Sequence, residues 1–203
     1  PELRHDQLPM VGLQGDNYYR PMETQGSWIP YTGSVMSIDP SGVGRDETAY
    51  CITKFLNGNI YVLACSGFNA GYTDHVLNKL TTLAKKFSVQ KIIIEDNFGQ
   101  GMFTQLLKPF LIKNYKCSTE QVRQTTSKQR RILDTLEPLV SQHRLIVDRE
   151  VVKDDYEMTN SLYPSETALR YQLMYQLSRL QKTGFNLLQD DRIDALQMAC
   201  QHF

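Results

Sequence analysis

Residues 36–50 read MSIDPSGVGRDETAY, and their interpretation decides the fold. A short apolar run, Val35–Ile38, ends at Asp39. Pro40, Gly42, Gly44, Arg45, Asp46 and Glu47 follow, then a β-rich segment from Thr48. Two readings compete: a glycine loop that cradles a nucleotide phosphate, or the acidic corner of a metal site. A P-loop needs GxxxxGK[ST], and the sequence contains none. GVGRDE has a GxG but no third glycine in place, and no helical pattern follows it, so a dinucleotide-binding turn fails on context. The glycines fit a sharp turn that lets the backbone approach a ligand closely. The weight moves to Asp39 at the end of a buried strand.

The bulk numbers limit the options. The chain has 203 residues, 41% of them hydrophobic, which suits one domain with an appended arm. No apolar run approaches the roughly 20 residues of a membrane-spanning helix. No signal peptide is visible and Pro1 is not an initiator, so the chain reads as an excised piece of something longer. Lys+Arg and Asp+Glu are both 22, which argues against binding nucleic acid by bulk charge and leaves room for a local basic patch. Cys51, Cys65, Cys117 and Cys200 are widely spaced and form no CxxC, which disfavours structural zinc and a disulfide scaffold and fits a reducing cytoplasm.

Residues 1–33 carry four of the eight prolines and little periodicity. They read as a linker or irregular arm whose end Trp28 and Tyr31 pin to the core. From residue 34 the pattern predicts a meander of strands at 34–38, 48–56 and 60–66, with Asn57-Gly58-Asn59 as a turn. A helix follows near 73–87, with Thr73 as N-cap. Lys91–Ile94 is a β-branched run typical of a central strand. A helix near 101–112 presents Phe103, Leu106, Leu107 and Phe110, and Pro109 is expected to kink or shorten it. Then come a strand within 116–123, a helix near 127–141 and a short strand, Leu145–Val147. Residues 148–163 are polar, with Asp154 and Asp155 expected in a solvated loop. One long helix is expected over 165–183, capped by Ser165 and stopped by Gly184. A last helix begins near Asp190 or Asp191. The fold class is α/β: a mixed sheet, with a three-stranded antiparallel meander plus parallel strands, flanked by helices on both faces.

The acids fall at element ends. Asp39 closes the first strand, Glu95 and Asp96 close the strand after KIII, and Asp190, Asp191 and Asp194 open the last helix. Carboxylates at the ends of adjacent strands project into one crevice at the edge of a sheet. Each group has a plain structural explanation when taken alone. Asp-Pro starts turns, and acids in a first helical turn suit the macrodipole. Two carboxylates at the mouth of a buried strand are harder to dismiss. Together the groups need neutralising, because like charges at short range repel. Oxygen donors without a convergent His or Cys point to Mg²⁺ or Mn²⁺. Two such ions roughly 3.5–4 Å apart suit phosphodiester hydrolysis.

Three segments, SIDPSGVGRDETAYCI, IIIEDNFGQGMF and QDDRIDALQMA, taken in this order, resemble the C-terminal nuclease domain of the large terminase subunit of tailed bacteriophages. The likeness is to the podophage type, within the ribonuclease H-like superfamily, and it covers most of residues 34–200. The resemblance implies a Mg²⁺- or Mn²⁺-dependent endonuclease that cuts concatemeric double-stranded DNA for packaging. It also implies partners: an ATPase domain absent from this chain and joined through residues 1–33, the small terminase subunit, and the portal and procapsid. The setting would be the host bacterial cytoplasm, with no membrane. The first family acid matches Asp39. The second matches Glu95, with Asp96 as the substitute. The third is Asp191 or Asp194, which stand three residues apart on one helix side. Asp46 lies in a family-like GxGxDET pattern and is a candidate secondary ligand.

DNA contacts would come from RQTTSKQRR, through Arg123, Lys128, Arg130 and Arg131, with hydroxyls among the charges. An ordinary solvated helix start explains the same residues. Lys108, Lys113 and Lys116 form a weaker patch. Two alternatives stay open at this level. One is another ribonuclease H-like enzyme, such as a junction resolvase or transposase-like domain. The other is a catalytically degenerate domain whose acids bind metal for stability or merely cap elements.

Overall fold

The structure, a computed structural model, describes residues 10–11, 18–19, 29–41, 46–96, 101–181 and 187–203. Gly42, Gly44, Trp28 and Gly184 lie outside the described residues. The chain divides into two compact units, Pro1–Pro30 and Tyr31–Phe203. In the first, β1 (Met10–Val11) pairs antiparallel with β2 (Tyr18–Tyr19). A two-residue ladder is too short to leave a periodicity in the sequence.

The second unit is built on a six-stranded mixed sheet. Its strands are β3 (Gly33–Asp39), β4 (Thr48–Leu56), β5 (Asn59–Phe68), β6 (Lys91–Glu95), β7 (Ser118–Val122) and β8 (Leu145–Val147), in spatial order β7-β6-β3-β4-β5-β8. The meander β3-β4-β5 is antiparallel, while β6 beside β3, β7 beside β6 and β8 beside β5 are parallel. Asn57 and Gly58 turn β4 into β5 with φ of 50° and 80°, the left-handed pair that a tight hairpin requires. Tyr31 packs edge-on against Tyr61 at 5.2 Å.

Period 2 divides the core between the two faces of the sheet. Met36, Ile38, Ile92 and Ile94 face α1 (Asp74–Lys86) and α2 (Met102–Asn114). Val35 and Ile93 face the other way, into a cluster with Ile132, Leu136, Ile193 and Leu196. That second layer comprises α3 (Lys128–Ser141), α4 (Arg149–Leu162), α5 (Ser165–Tyr171), α6 (Leu173–Ser178) and α7 (Asp191–Gln201).

Several expectations are corrected. Pro109 does not shorten α2, which runs to Asn114. Pro109 and Gln105 are both solvent-exposed, so the carbonyl that loses its donor faces water. Leu106 is on the exposed side of α2, whose buried face is Phe103, Thr104, Leu107 and Leu111. Residues 149–162 form a helix rather than a loop, and Asp155 is buried in it while Asp154 is exposed. The long helix over 165–183 is two short ones, interrupted at Gln172, whose ψ of 128° is extended. Pro164, not Ser165, holds the N-cap position of α5. The break has an identifiable cause: the Asp155 carboxylate accepts the peptide N–H groups of Leu173 (2.8 Å) and Met174 (3.0 Å), capping a new helix start.

Candidate metal centre

The parallel register of β3 and β6 sets Ile38 beside Ile94, so the next residues on the two strands are Asp39 and Glu95. Strand alternation turns both toward the face that carries α7. There the Ser37 hydroxyl donates to the Ala195 carbonyl at 2.5 Å, which locks α7 over the end of β3. Asp194 is the residue before Ala195. As a result, carboxylate oxygens of Asp39, Glu95 and Asp194 lie within 4.8 Å of one another. Glu95 and Asp194 are buried and Asp39 is partly so.

Asp191 lies one turn earlier on α7, and its Oδ2 accepts the peptide N–H of Glu47 at 3.2 Å. Asp96 turns away from the cluster, and its Oδ1 accepts the Gly101 N–H at 2.8 Å, ahead of α2. Asp46 is exposed and near enough to Asp191 to raise that carboxyl's pKa.

The basic candidates separate into two kinds. Arg131 is buried, with Nη2 at 2.6 Å from Asp194 Oδ1 and 3.9 Å from Glu95 Oε1. Its Nε donates to Gln197 Oε1 at 3.1 Å. Lys128 Nζ lies 2.8 Å from Asp190 Oδ1 and 3.2 Å from Asp194 Oδ2. Arg123 and Arg130 are exposed, and Arg130 pairs with Asp134 at 3.4 Å. The stretch therefore sends two cations into the acidic cluster and leaves two at the surface. Charge and spacing alone do not distinguish them.

The electrostatics are unbalanced. Burial pushes the Asp39 carboxyl well above its ordinary value, and Glu95 and Asp194 push it further, while Lys128 opposes them. Burial lifts Asp191 to about 7, against the lowering effects of the Glu47 N–H and Lys128. Burial pulls Lys128 down, but Asp194, Asp190 and Asp39 outweigh it and raise it overall. Asp194 Oδ2 is buried and faces the Lys128 ammonium at 3.2 Å without a well-aligned hydrogen bond.

These features fit a divalent cation. The donors are all carboxylate oxygens, as Mg²⁺ and Mn²⁺ prefer. Opposite ligands on an octahedral ion with bonds of roughly 2.1 Å stand about 4.2 Å apart. Three ligands include at most one opposite pair and neighbouring ones stand about 3.0 Å apart, so the trio, now within 4.8 Å, would draw together around an ion.

Beside the trio lies a second charged group that sequence reading misses. Arg192 is fully buried, with Nε and Nη2 each 2.8 Å from the two oxygens of Glu47 and Nη1 2.9 Å from Asp155 Oδ1. The Tyr163 hydroxyl donates to Glu47 Oε1 at 2.8 Å. The one available signal was an arginine amid the acids and apolar residues of DDRIDAL. It becomes informative only once α7 is known to be buried from Arg192 to Cys200.

Comparison with known proteins places these features in a family. Residues 38–145 match the family model of the bacteriophage T7 terminase, ribonuclease H-like domain. The large terminase subunit of Enterobacteria phage T3 is 37% identical over 198 residues, covering 98% of this chain and 34% of that protein. This chain thus spans about a third of that relative's length. Among solved structures, the Mn-soaked, inhibitor-bound human cytomegalovirus terminase nuclease domain superposes with a TM-score of 0.58 at 13% identity, covering 83% of this chain and 82% of that one. A mutant nuclease domain of the large terminase subunit gp2 of bacterial virus Sf6, with manganese and beta-thujaplicinol, gives 0.55 at 13% identity, covering 85% and 90%. At such identities these two structures speak for the fold alone.

Proposed function

The chain belongs to the ribonuclease H-like domain family of the bacteriophage T7 terminase, and from that premise we propose that it is the nuclease of a viral DNA-packaging motor. In this reading it is a Mg²⁺- or Mn²⁺-dependent endodeoxyribonuclease that cuts concatemeric double-stranded DNA. The observation that supports it most is the convergence of Asp39, Glu95 and Asp194, from two strand ends and a helix start, on one point with excess negative charge.

In this proposal Asp39, Glu95 and Asp194 hold one cation. Asp191, with Asp46 nearby, serves a second. Such ions, when bound, would supply a water of lowered pKa and positive charge at the scissile phosphate. The chain's own residues set the conditions. Asp39 and Asp191 give up protons when cations bind, because burial and neighbouring carboxylates keep both carboxyls raised until then. Arg131 and Lys128 hold Asp194 in place through its two oxygens. The exposed Arg123 and Arg130 are left for backbone phosphates, with Lys128 at the border between the acids and the DNA. Neutral overall charge predicts weak, salt-sensitive binding by the isolated domain.

The same premise extends to the assembly. Residues 1–33 would join an ATPase domain corresponding to the part of the T3 relative that this chain does not cover. The small terminase subunit and the portal of the procapsid would be its partners in the host bacterial cytoplasm. The attached motor would then raise the local DNA concentration. Among the described residues no helix is long and apolar enough to cross a membrane.

The test is incubation with supercoiled plasmid and Mn²⁺. The wild type should nick and linearise it, and Asp39→Ala should not. Mn²⁺ should also raise the melting temperature of the wild type alone. Equal inertness of both proteins, with no thermal response to metal, would sink the reading. Cleavage confined to branched DNA would move the assignment to a junction resolvase.

A further inference from the structure

We infer that the Glu47–Arg192 pair, buttressed by Asp155 and Tyr163, is a positioning device that sets the acid-bearing start of α7 against the residues that lead into β4. This rests on the nuclease reading above and assigns residues to it that touch none of the candidate ligand oxygens with their own side chains.

The connection runs through bonds on both sides of the pair. On the β3 side, the Ser41 N–H donates to Thr48 Oγ1 at 3.2 Å and the Ser41 hydroxyl donates to the Asp46 carbonyl at 2.8 Å. These bonds hold Glu47, which stands between Ser41's two partners Asp46 and Thr48, close to the end of β3. The Glu47 peptide N–H is the group that Asp191 accepts. On the α7 side, Arg192 stands between Asp191 and Asp194 in the chain and grips both oxygens of Glu47. The Ile193 N–H donates to Gln176 Oε1 at 3.0 Å, so a first-turn donor that the helix cannot satisfy internally is held by α6. One carboxylate thus reaches the candidate site twice, through its backbone to Asp191 and through its side chain to the helix carrying Asp191 and Asp194.

The surroundings are shaped to keep that carboxylate still. A side chain at Gly67 would overlap the Glu47 carboxylate, so the glycine leaves it the space it fills. Tyr163 supplies the remaining donor, and its ring stacks on Tyr171 with centroids 3.7 Å apart and planes at 2°. Asp155 takes the third guanidinium bond while capping α6. A bidentate arginine fork fixes orientation as well as distance, which a lysine would not. Apolar residues of similar volume commonly stabilise a core as well as a buried ion pair does. Stability alone therefore does not call for an arginine here, whereas registering two acid-bearing segments does. Outer partners of metal ligands act in this way, and their loss typically lowers metal affinity about 10–100-fold.

The experiment is Mn²⁺ titration, by calorimetry or by electron paramagnetic resonance of free Mn²⁺, of the wild type, Asp39→Ala, Glu47→Gln and Tyr163→Phe, each checked for folding by circular dichroism and thermal melting. The wild type should bind and Asp39→Ala should not. Glu47→Gln should bind at least about 10-fold more weakly while folded, and Tyr163→Phe should show a smaller loss in the same direction. A purely structural role would lower the melting temperature and leave Mn²⁺ affinity unchanged well below it. That result for Glu47→Gln would overturn the inference and leave the nuclease reading standing. If Glu47→Gln does not fold, Tyr163→Phe decides, since it keeps the ring stack and removes one hydroxyl; unchanged affinity there overturns the inference too. No Mn²⁺ binding by the folded wild type would overturn the nuclease reading, and this inference with it.

Discussion

Two groups of buried charge meet at the start of α7, and they are built on opposite principles. Around Arg192 the charges are fully partnered: the guanidinium donates to Glu47 and Asp155, and those carboxylates take their remaining bonds from Tyr163 and from two peptide N–H groups. Around Asp194 the acids exceed their cations. One Asp194 oxygen has the Lys128 ammonium at 3.2 Å but no well-aligned hydrogen bond, and Asp39 and Asp191 are pushed toward their neutral forms. Burial of charge is therefore not what marks the candidate centre, because both groups are buried. The mark is imbalance in one group beside balance in the other. The two should respond to substitution with opposite signs.

The largest expected effect is at Arg192. Arg192→Met keeps the volume and leaves Glu47 and Asp155 in the interior without their cation. Breaking a buried pair in this way costs about 3–5 kcal/mol, to be read as a lowered urea midpoint. Asp39→Asn, in the unbalanced group, removes a repelled charge and should leave the metal-free domain as stable as the wild type or more so. Equal losses in both variants would mean that the two groups do not differ in kind.

That contrast also explains how much could be read from the sequence. Asp39 and Glu95 are legible because a buried strand is an unbroken apolar run, and a carboxylate at its end stands out. Glu95 and Asp96 are not separable by composition; strand alternation assigns Glu95 to the α7 face, and that requires knowing where α7 packs. Helix α4 is illegible because its buried positions are Val151, Asp155 and Thr159, so the stripe that normally announces a helix is mostly polar. The break at Gln172 hides for a related reason. Leu169, Leu173, Leu177 and Leu180 continue a helical spacing, but the chain is interrupted by a carboxylate from another helix, which no local pattern contains. With the break, Leu169 is left half-exposed at 51%. What the sequence withholds is in each case a polar residue whose partner lies far along the chain.

A smaller effect follows from the raised carboxyls. Asp191 titrates near 7 in the folded protein against an ordinary value of 3.8. The folded state thus keeps a proton that the unfolded chain has released. The resulting stabilisation is complete below about pH 4 and is lost as pH rises through 7. In the metal-free domain this loss should be on the order of 2 kcal/mol after discounting for partial exposure. Asp39 contributes in the same direction. Mn²⁺ binds the deprotonated forms, so the rise in melting temperature it produces should grow across the same range. A metal-free stability that climbs between pH 4 and pH 7, with a pH-independent response to Mn²⁺, would contradict the imbalance.

The smallest effect separates two adjacent acids. Asp96 is tied to the Gly101 N–H, where the chain enters α2 with φ of 80°. Losing such a carboxylate acceptor for a backbone N–H ahead of a helix costs about 1 kcal/mol. Asp96→Ala should therefore lower stability slightly and leave Mn²⁺ affinity and plasmid cleavage within about twofold of wild type, far inside the 10-fold step of a lost ligand partner. Glu95→Ala should do the reverse, since it relieves repulsion in the cluster while removing a ligand oxygen: stability held, metal binding and cleavage gone. A metal site that survives Glu95→Ala and fails in Asp96→Ala would exchange the two roles. It would also require Asp96 to release Gly101 and swing across the end of β6, a rearrangement that the chemical shift of the Gly101 amide would report directly.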